Sequence, residues 1–164
     1  MSQPNFPVSL HNLGAELDFH DLDAGVIINV GQAKIRTEKL NHPGGSFGYR
    51  LEQDGKILVY ASDTEQMEGI DPLMLNLAWG ADALIYDSMF TPDQYLGLDN
   101  NQPRKSWGHS TWEGAVELAQ AAFVKQLILF HHGNDDSVVE QIESKAREKF
   151  PRTIAAYEGL VISL

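Results

Sequence analysis

Histidine and aspartate residues stand at the ends of apolar, strand-like runs along this chain. His42 lies in KLNHPGGSFGYRL, Asp63 in ILVYASDTE, Asp87 in ALIYDS and His131 in LILFHHGNDD. His109 lies in WGHSTWEGA, just ahead of a helix start. Imidazole and carboxylate at strand ends are the donors from which a sheet protein builds a metal site, because strand termini can converge on one rim while the sheet holds them rigid. Such a site lowers the pKa of water to about 7 and polarises a phosphoryl or carbonyl oxygen. A bridging carboxylate holds two ions roughly 4 Å apart. A neighbouring imidazole can protonate a leaving oxygen.

Each residue alone has an ordinary explanation. A histidine in the His42 glycine loop can simply bond a carbonyl. Asp63 and Asp87 fit turns or caps, and His109 can be a mere neighbour of a helix cap. His131 and His132 are harder to explain by packing or solubility, because they follow the most apolar strand, although one of the pair is expected to be structural. Together the set matches a divalent-metal hydrolase.

The elements that must carry these residues follow from periodicity and turn chemistry. VIINV (26–30) and the alternating AKIRTEKL (33–40) are expected as strands joined by a tight hairpin at Gly31-Gln32. SFGYRLEQ (46–53) and KILVYAS (56–62) form a second hairpin around Asp54-Gly55, a type I′ signal. Asp71-Pro72 starts a helix with Leu73, Leu77 and Gly80 on its inner side. DALIYDS (82–88) is a short buried strand, and residues 91–108 are expected as a long polar loop. Ser110 or Thr111 caps an amphipathic helix with Ala115, Leu118, Ala119 and Ala122 inward. QLILF (126–130) is a strand inside the sheet. Asp135 or Asp136 caps a last helix with Val138, Val139, Ile142 and Ala146 inward. TIAAY and LVISL close the chain as a hairpin around Glu158-Gly159. Strands followed by helix–strand units predict an α/β fold with a mixed sheet and packed helices, one domain over 1–164.

Composition bounds the chemistry. The 164 residues include no cysteine, so disulfides and thiolate ligands are excluded and any metal must use N and O donors. The net charge of −11 repels polyanions at long range, and the densest basic group, Lys34, Arg36 and Lys39, alternates like the wet face of a strand. Nucleic acid is therefore not the expected partner. No apolar run is long enough to span a bilayer and MSQPNFPVSLHNLG lacks a secretory pattern, so no membrane partner and a cytoplasmic location are expected.

These residues also carry a family resemblance over roughly residues 38–164. The chain resembles the C-terminal portion of a metallo-β-lactamase-fold hydrolase (an αββα sandwich), in the ribonuclease Z and small-phosphodiesterase branch. LNHPGGSFGYRLE is similar to that branch's third-motif histidine followed by a Gly-Tyr-Arg strand, which implies His42 as a metal ligand. ILVYASDTE is similar to the strand ending in Gly-Asp-Thr, with Ser62 for the glycine, which implies Asp63 as the metal-bridging carboxylate. LILFHH resembles the fifth-motif strand, which implies His131 as a ligand and His132 as its neighbour. GADALIYDSMF is similar to the segment reading His-Glu-Ala-Thr-Phe, with Tyr86-Asp87 in place of His-Glu. GHSTWEGAVELAQAA is similar to a His-Ser-Thr helix start, which implies His109 as general acid oriented by Asp87. The metal implied is divalent, with Zn²⁺ the default and Mn²⁺ or Fe as alternatives. Tyr86, Asp87 and the acidic charge point away from tRNA processing and toward a small phosphodiester substrate.

One family feature is missing from the sequence, the His-x-His-x-Asp-His loop of the first motif. The upstream histidines, His11 and His20, are nine residues apart, and Asp18-Phe19-His20-Asp21 lacks the spacing. The expectation is a truncated or mis-started hydrolase, inactive or impaired alone. The alternatives are a half completed by a partner chain or a second copy, and a non-catalytic interaction module.

Overall fold

The computed structural model describes Gly14 and residues 16–164. His11 lies outside the described residues. The first four strands form an antiparallel meander: β1 (Ile27–Val30), β2 (Ala33–Leu40), β3 (Ser46–Gln53) and β4 (Lys56–Ala61). Asp54 and Gly55 both have positive φ, 51° and 73°, as the turn between β3 and β4 requires. From β4 onward the pairing is parallel, through β5 (Ala83–Asp87), β6 (Leu127–Phe130) and β7 (Thr153–Ala155). Parallel neighbours need crossover connections, and helices supply them. They are α1 (Pro72–Ala78), α2 (Pro92–Leu96), α3 (Trp112–Ala121) and α4 (Asp136–Lys149). All seven strands lie in one sheet in sequence order, which is the α/β mixed sheet expected.

Strand direction decides where the chemistry falls. β4, β5 and β6 run parallel, so their C-terminal ends share one edge. β2 is antiparallel to β3, which is antiparallel to β4, so β2 ends at that same edge. In open sheets with parallel strands, ligands bind outside the carboxyl ends of the strands.

One face of the sheet is closed by helices. Val59, Ala61, Leu84, Tyr86, Leu127 and Leu129 alternate toward it and pack with Met74, Leu77, Ala115, Ala119, Ile142 and Ala146. Gly48 makes that packing close, since a Cβ there would come within 2.9 Å of both Leu40 and Leu77. Two residues on, the Arg50 guanidinium donates to the carbonyls of Leu77 and Trp79, both at 2.9 Å, and so satisfies the C-terminal end of α1. The Gly-Tyr-Arg strand thus seats α1 on the sheet. Among the described residues there is one sheet layer and one helical layer; the remaining layers of an αββα sandwich are not found there.

Three expectations are corrected. The segment 91–108 is not all loop: α2 starts in a capping box in which Thr91 and Gln94 bond reciprocally, with Pro92 at its first position and Gly97 in the left-handed conformation at its end. In α1 Leu73 is half exposed, and Met74, Leu77 and Ala78 are buried instead, because the Asp71 cap sets the helix rotation. LVISL is not a strand. β7 pairs in parallel with β6, and the residues after it line a groove of about 320 Å³ with Leu58, Tyr60, Ile85, Ile128 and Phe130 on the opposite sheet face.

Candidate active site

The common edge gathers the predicted residues. Asp63 follows β4 by two residues, Asp87 is the last residue of β5, and His131 directly follows β6. His42 follows β2 by two residues, and His109 sits just before Thr111, the N-cap of α3. Donor atoms of His42, Asp63 and His109 lie within 4.8 Å of one another, as do those of Asp87, His109 and His131. His131 Nδ1 is 3.6 Å from Asp63 Oδ2. His109 therefore occupies the centre, with its ring 4.7 Å from that of His131 and 5.5 Å from that of His42. The five residues expected from the sequence share this edge, but the expected ligand set His42, Asp63 and His131 is not itself one of the two close groups, both of which include His109.

The two strand-end residues share a left-handed backbone conformation. Asp63 and His131 have φ of 57° and 59°. Asp visits the left-handed region routinely, whereas for His131 it costs roughly 1–2 kcal/mol. It turns each chain sharply as it leaves its strand and keeps the side chain on the rim. Strain of this kind concentrates at functional sites.

Asp87 is the hub beneath the rim. Its carboxylate is fully buried. Oδ2 accepts from the Asp63 amide at 3.0 Å and from His109 Nδ1 at 2.8 Å. Oδ1 accepts from the amides of Met89 at 3.2 Å and Ser110 at 3.1 Å. One carboxylate therefore fixes the backbone of Asp63 and the ring of His109. With Nδ1–H engaged, the other ring nitrogen of His109 is left for chemistry.

Ser62, in the place of a glycine, links two candidate ligands. Its hydroxyl donates to Asp63 Oδ2 at 3.1 Å, and its oxygen lies 3.0 Å from His131 Nδ1. A hydroxyl with its proton on Asp63 accepts from His131 Nδ1–H, which leaves the Nε2 lone pair of His131 free. His132 points elsewhere and donates from Nε2 to the Ala156 carbonyl at 2.9 Å. Burial, and then the neighbouring His131, lower its pKa.

Tyr86 faces the helix layer rather than the rim. Burial pushes its hydroxyl up to about 12, and that hydroxyl lies 3.3 Å from Ser110 Oγ, to which it can donate. Ser110 gives its own hydroxyl proton to the Thr64 carbonyl at 2.6 Å. Sequence reasoning did not single out Ser62 or Ser110 as joining elements, since hydroxyls carry no periodic signal. His20 pairs with Asp18 at 3.0 Å on the exposed surface and belongs to neither cluster.

Gly108 fits the two loops together. A Cβ there would fall on the His42 ring and on Pro43, and its φ is +90°. No side chain is accommodated between His42 and the His109 segment.

Residues 2–132 match the family described as the beta-lactamase superfamily domain. Ribonuclease Z from Methanothermobacter thermautotrophicus is 30% identical over 147 residues, covering 89% of this chain and 42% of that protein. The metallo-beta-lactamase fold protein YhfI from Bacillus subtilis superposes with a TM-score of 0.70 at 21% identity, covering 85% of this chain and 52% of that one. A diphosphatase of the PhnP family superposes with a TM-score of 0.65 at 18% identity, covering 94% of this chain and 52% of that one. The chain thus spans less than half the length of the ribonuclease Z it matches. No helix among the described residues is long and apolar enough to cross a membrane.

Proposed function

The chain belongs to the beta-lactamase superfamily and has the metallo-β-lactamase fold, and from that membership and the rim geometry we propose that it is a metal-dependent, phosphodiesterase-like hydrolase. The observation that carries the reading is the convergence of four strand ends and the His109–Asp87 pair on one edge of the sheet. His42, Asp63 and His131 would hold the ion. Their imidazole and carboxylate donors, clustered around His109, suit Zn²⁺ first and accept Mn²⁺ or Fe. When bound, such an ion lowers the pKa of water and polarises a phosphoryl oxygen. The residues of the chain do the rest. Ser62 and Asp87 hold Asp63 and His131 in place. His109, oriented through Nδ1 by Asp87, gives a proton to the leaving oxygen from its other ring nitrogen.

The ribonuclease Z relatives act on RNA by name, which supports a phosphodiester substrate. The ribonucleases also weigh against the expectation, drawn from net charge, that nucleic acid is not a partner. RNA and small phosphodiesters therefore both belong in the assay. Zn²⁺-loaded protein is expected to hydrolyse bis(p-nitrophenyl) phosphate, and a chelator is expected to abolish the activity. Turnover that survives full removal of metal contradicts the reading.

The sequence contains no His-x-His-x-Asp-His loop, and this favours a second reading: a non-catalytic module that keeps the rim for binding. Completion of the donor set by a second copy or a partner chain belongs with it. Metal binding without turnover at any protein concentration selects this reading.

A further inference from the structure

We propose that Glu65 is a positioning residue that sets His109, and through Gly108 His42, in register on the rim. The inference rests on His109 acting as the proton donor. Glu65 lies two residues beyond Asp63, and three donors from a distant segment fill its carboxylate. Oε1 accepts from the Tyr95 hydroxyl at 2.7 Å and from the Ser106 amide at 2.7 Å. Oε2 accepts from the Gly108 amide at 3.0 Å. The Glu65 backbone is tied as well: its amide donates to the Asn41 carbonyl at 2.8 Å, and its own carbonyl accepts from Asn41 Nδ2 at 3.1 Å. One residue thus joins the segment before His42, the segment after Asp63 and the segment before His109.

Both carboxylate oxygens accept from the protein's own donors, and Glu65 acts through what it holds. Bonds to ionised acceptors are about twice as strong as neutral ones, and two of the three here fix backbone amides within three residues of His109. Tyr95 is buried in the α2 turn and steadies the arrangement. Burial, and then Glu65 itself, push its hydroxyl above the ordinary range, so it stays a donor. The same loop carries Gly108 against the His42 ring. Releasing the Ser106 and Gly108 amides would free His109 from one side while Asp87 still held its ring from below. The pattern is invisible in sequence because the three donors lie 30 to 43 positions from Glu65.

The test compares Glu65→Ala and Glu65→Gln with the parent protein, each loaded with Zn²⁺, on two substrates. One is a phosphodiester with an alkyl leaving group, which needs a proton; the other is bis(p-nitrophenyl) phosphate, which does not. A displacement of about 1 Å in a catalytic group costs on the order of 100-fold. Glu65→Ala is expected to lose about that factor in kcat on the alkyl ester, with a much smaller loss on the nitrophenyl ester and little change in KM. Glu65→Gln, with one acceptor oxygen instead of two, falls between. Combining Glu65→Ala with His109→Ala adds no further loss, because both act on one step. Equal losses on the two substrates, or losses that multiply in the double variant, overturn the proposal. The His109 Nδ1–H proton resonance supplies a readout independent of turnover. It is expected to be sharp in the parent and to shift or broaden in Glu65→Ala while the melting profile stays cooperative. An unchanged resonance overturns the role of Glu65. A parent protein that cleaves neither ester contradicts the phosphodiesterase reading instead and leaves the resonance to decide on Glu65.

Discussion

Asp87→Ala is expected to lower the free energy of unfolding by about 3–5 kcal/mol, since each buried donor left without its acceptor costs about 1–3 kcal/mol. The substitution strands four donors at once: the amides of Asp63, Met89 and Ser110, and His109 Nδ1. Ser110 is fully buried, so water cannot replace the lost bond there without opening the structure. Asp87→Asn should be milder, at about 2 kcal/mol. Its amide keeps one acceptor oxygen and turns an NH₂ toward two donors, so it can serve either the Oδ1 pair or the Oδ2 pair. Urea unfolding monitored by tryptophan fluorescence measures both. A loss below about 1 kcal/mol for Asp87→Ala would mean that the carboxylate is not the hub its four bonds indicate. Because Asp63 and His109 share Oδ2, activity should fall with stability in the alanine variant.

His109→Ala is expected to separate substrates by leaving group. General acid catalysis contributes typically about 100- to 10,000-fold. The variant should lose a factor in that range on a phosphodiester whose leaving group is an alkoxide. A p-nitrophenolate leaves without a proton, so bis(p-nitrophenyl) phosphate should be affected far less. The position of His109, within ligand distance of both donor clusters, makes a second outcome informative. If His109 serves chiefly as a metal ligand, the variant loses metal affinity and slows both substrates alike. Measuring kcat on each ester at saturating Zn²⁺ distinguishes these outcomes.

The sheet was largely legible because its signals are local. Asp54-Gly55 set the β3–β4 turn, and period-two alternation in AKIRTEKL set β2 to the residue. The rim residues were legible because apolar runs end on them. Signals of longer range were not. α2 carries a capping box in Thr91 and Gln94, but five residues give no hydrophobic period to confirm it. The C-terminal hairpin failed because β7 reaches β6 through α4 and pairs in parallel, while LVISL meets the open sheet face without pairing. What separates His131 from His132 was not legible either: the Ser62 hydroxyl beside one and the Ala156 carbonyl beside the other are not adjacent to them in sequence.

The central claim is that the strand ends form a divalent-metal site within this chain, and metal binding tests it most directly. Titration calorimetry with Zn²⁺ on the metal-stripped protein should give saturable binding, with thermal stabilisation of about 2.7 kcal/mol at a hundredfold excess over Kd. Asp63→Ala and His131→Ala should each remove most of the affinity, whereas His132→Ala should keep it. A parent protein that takes up no divalent ion, or one whose affinity survives loss of both Asp63 and His131, would contradict the account.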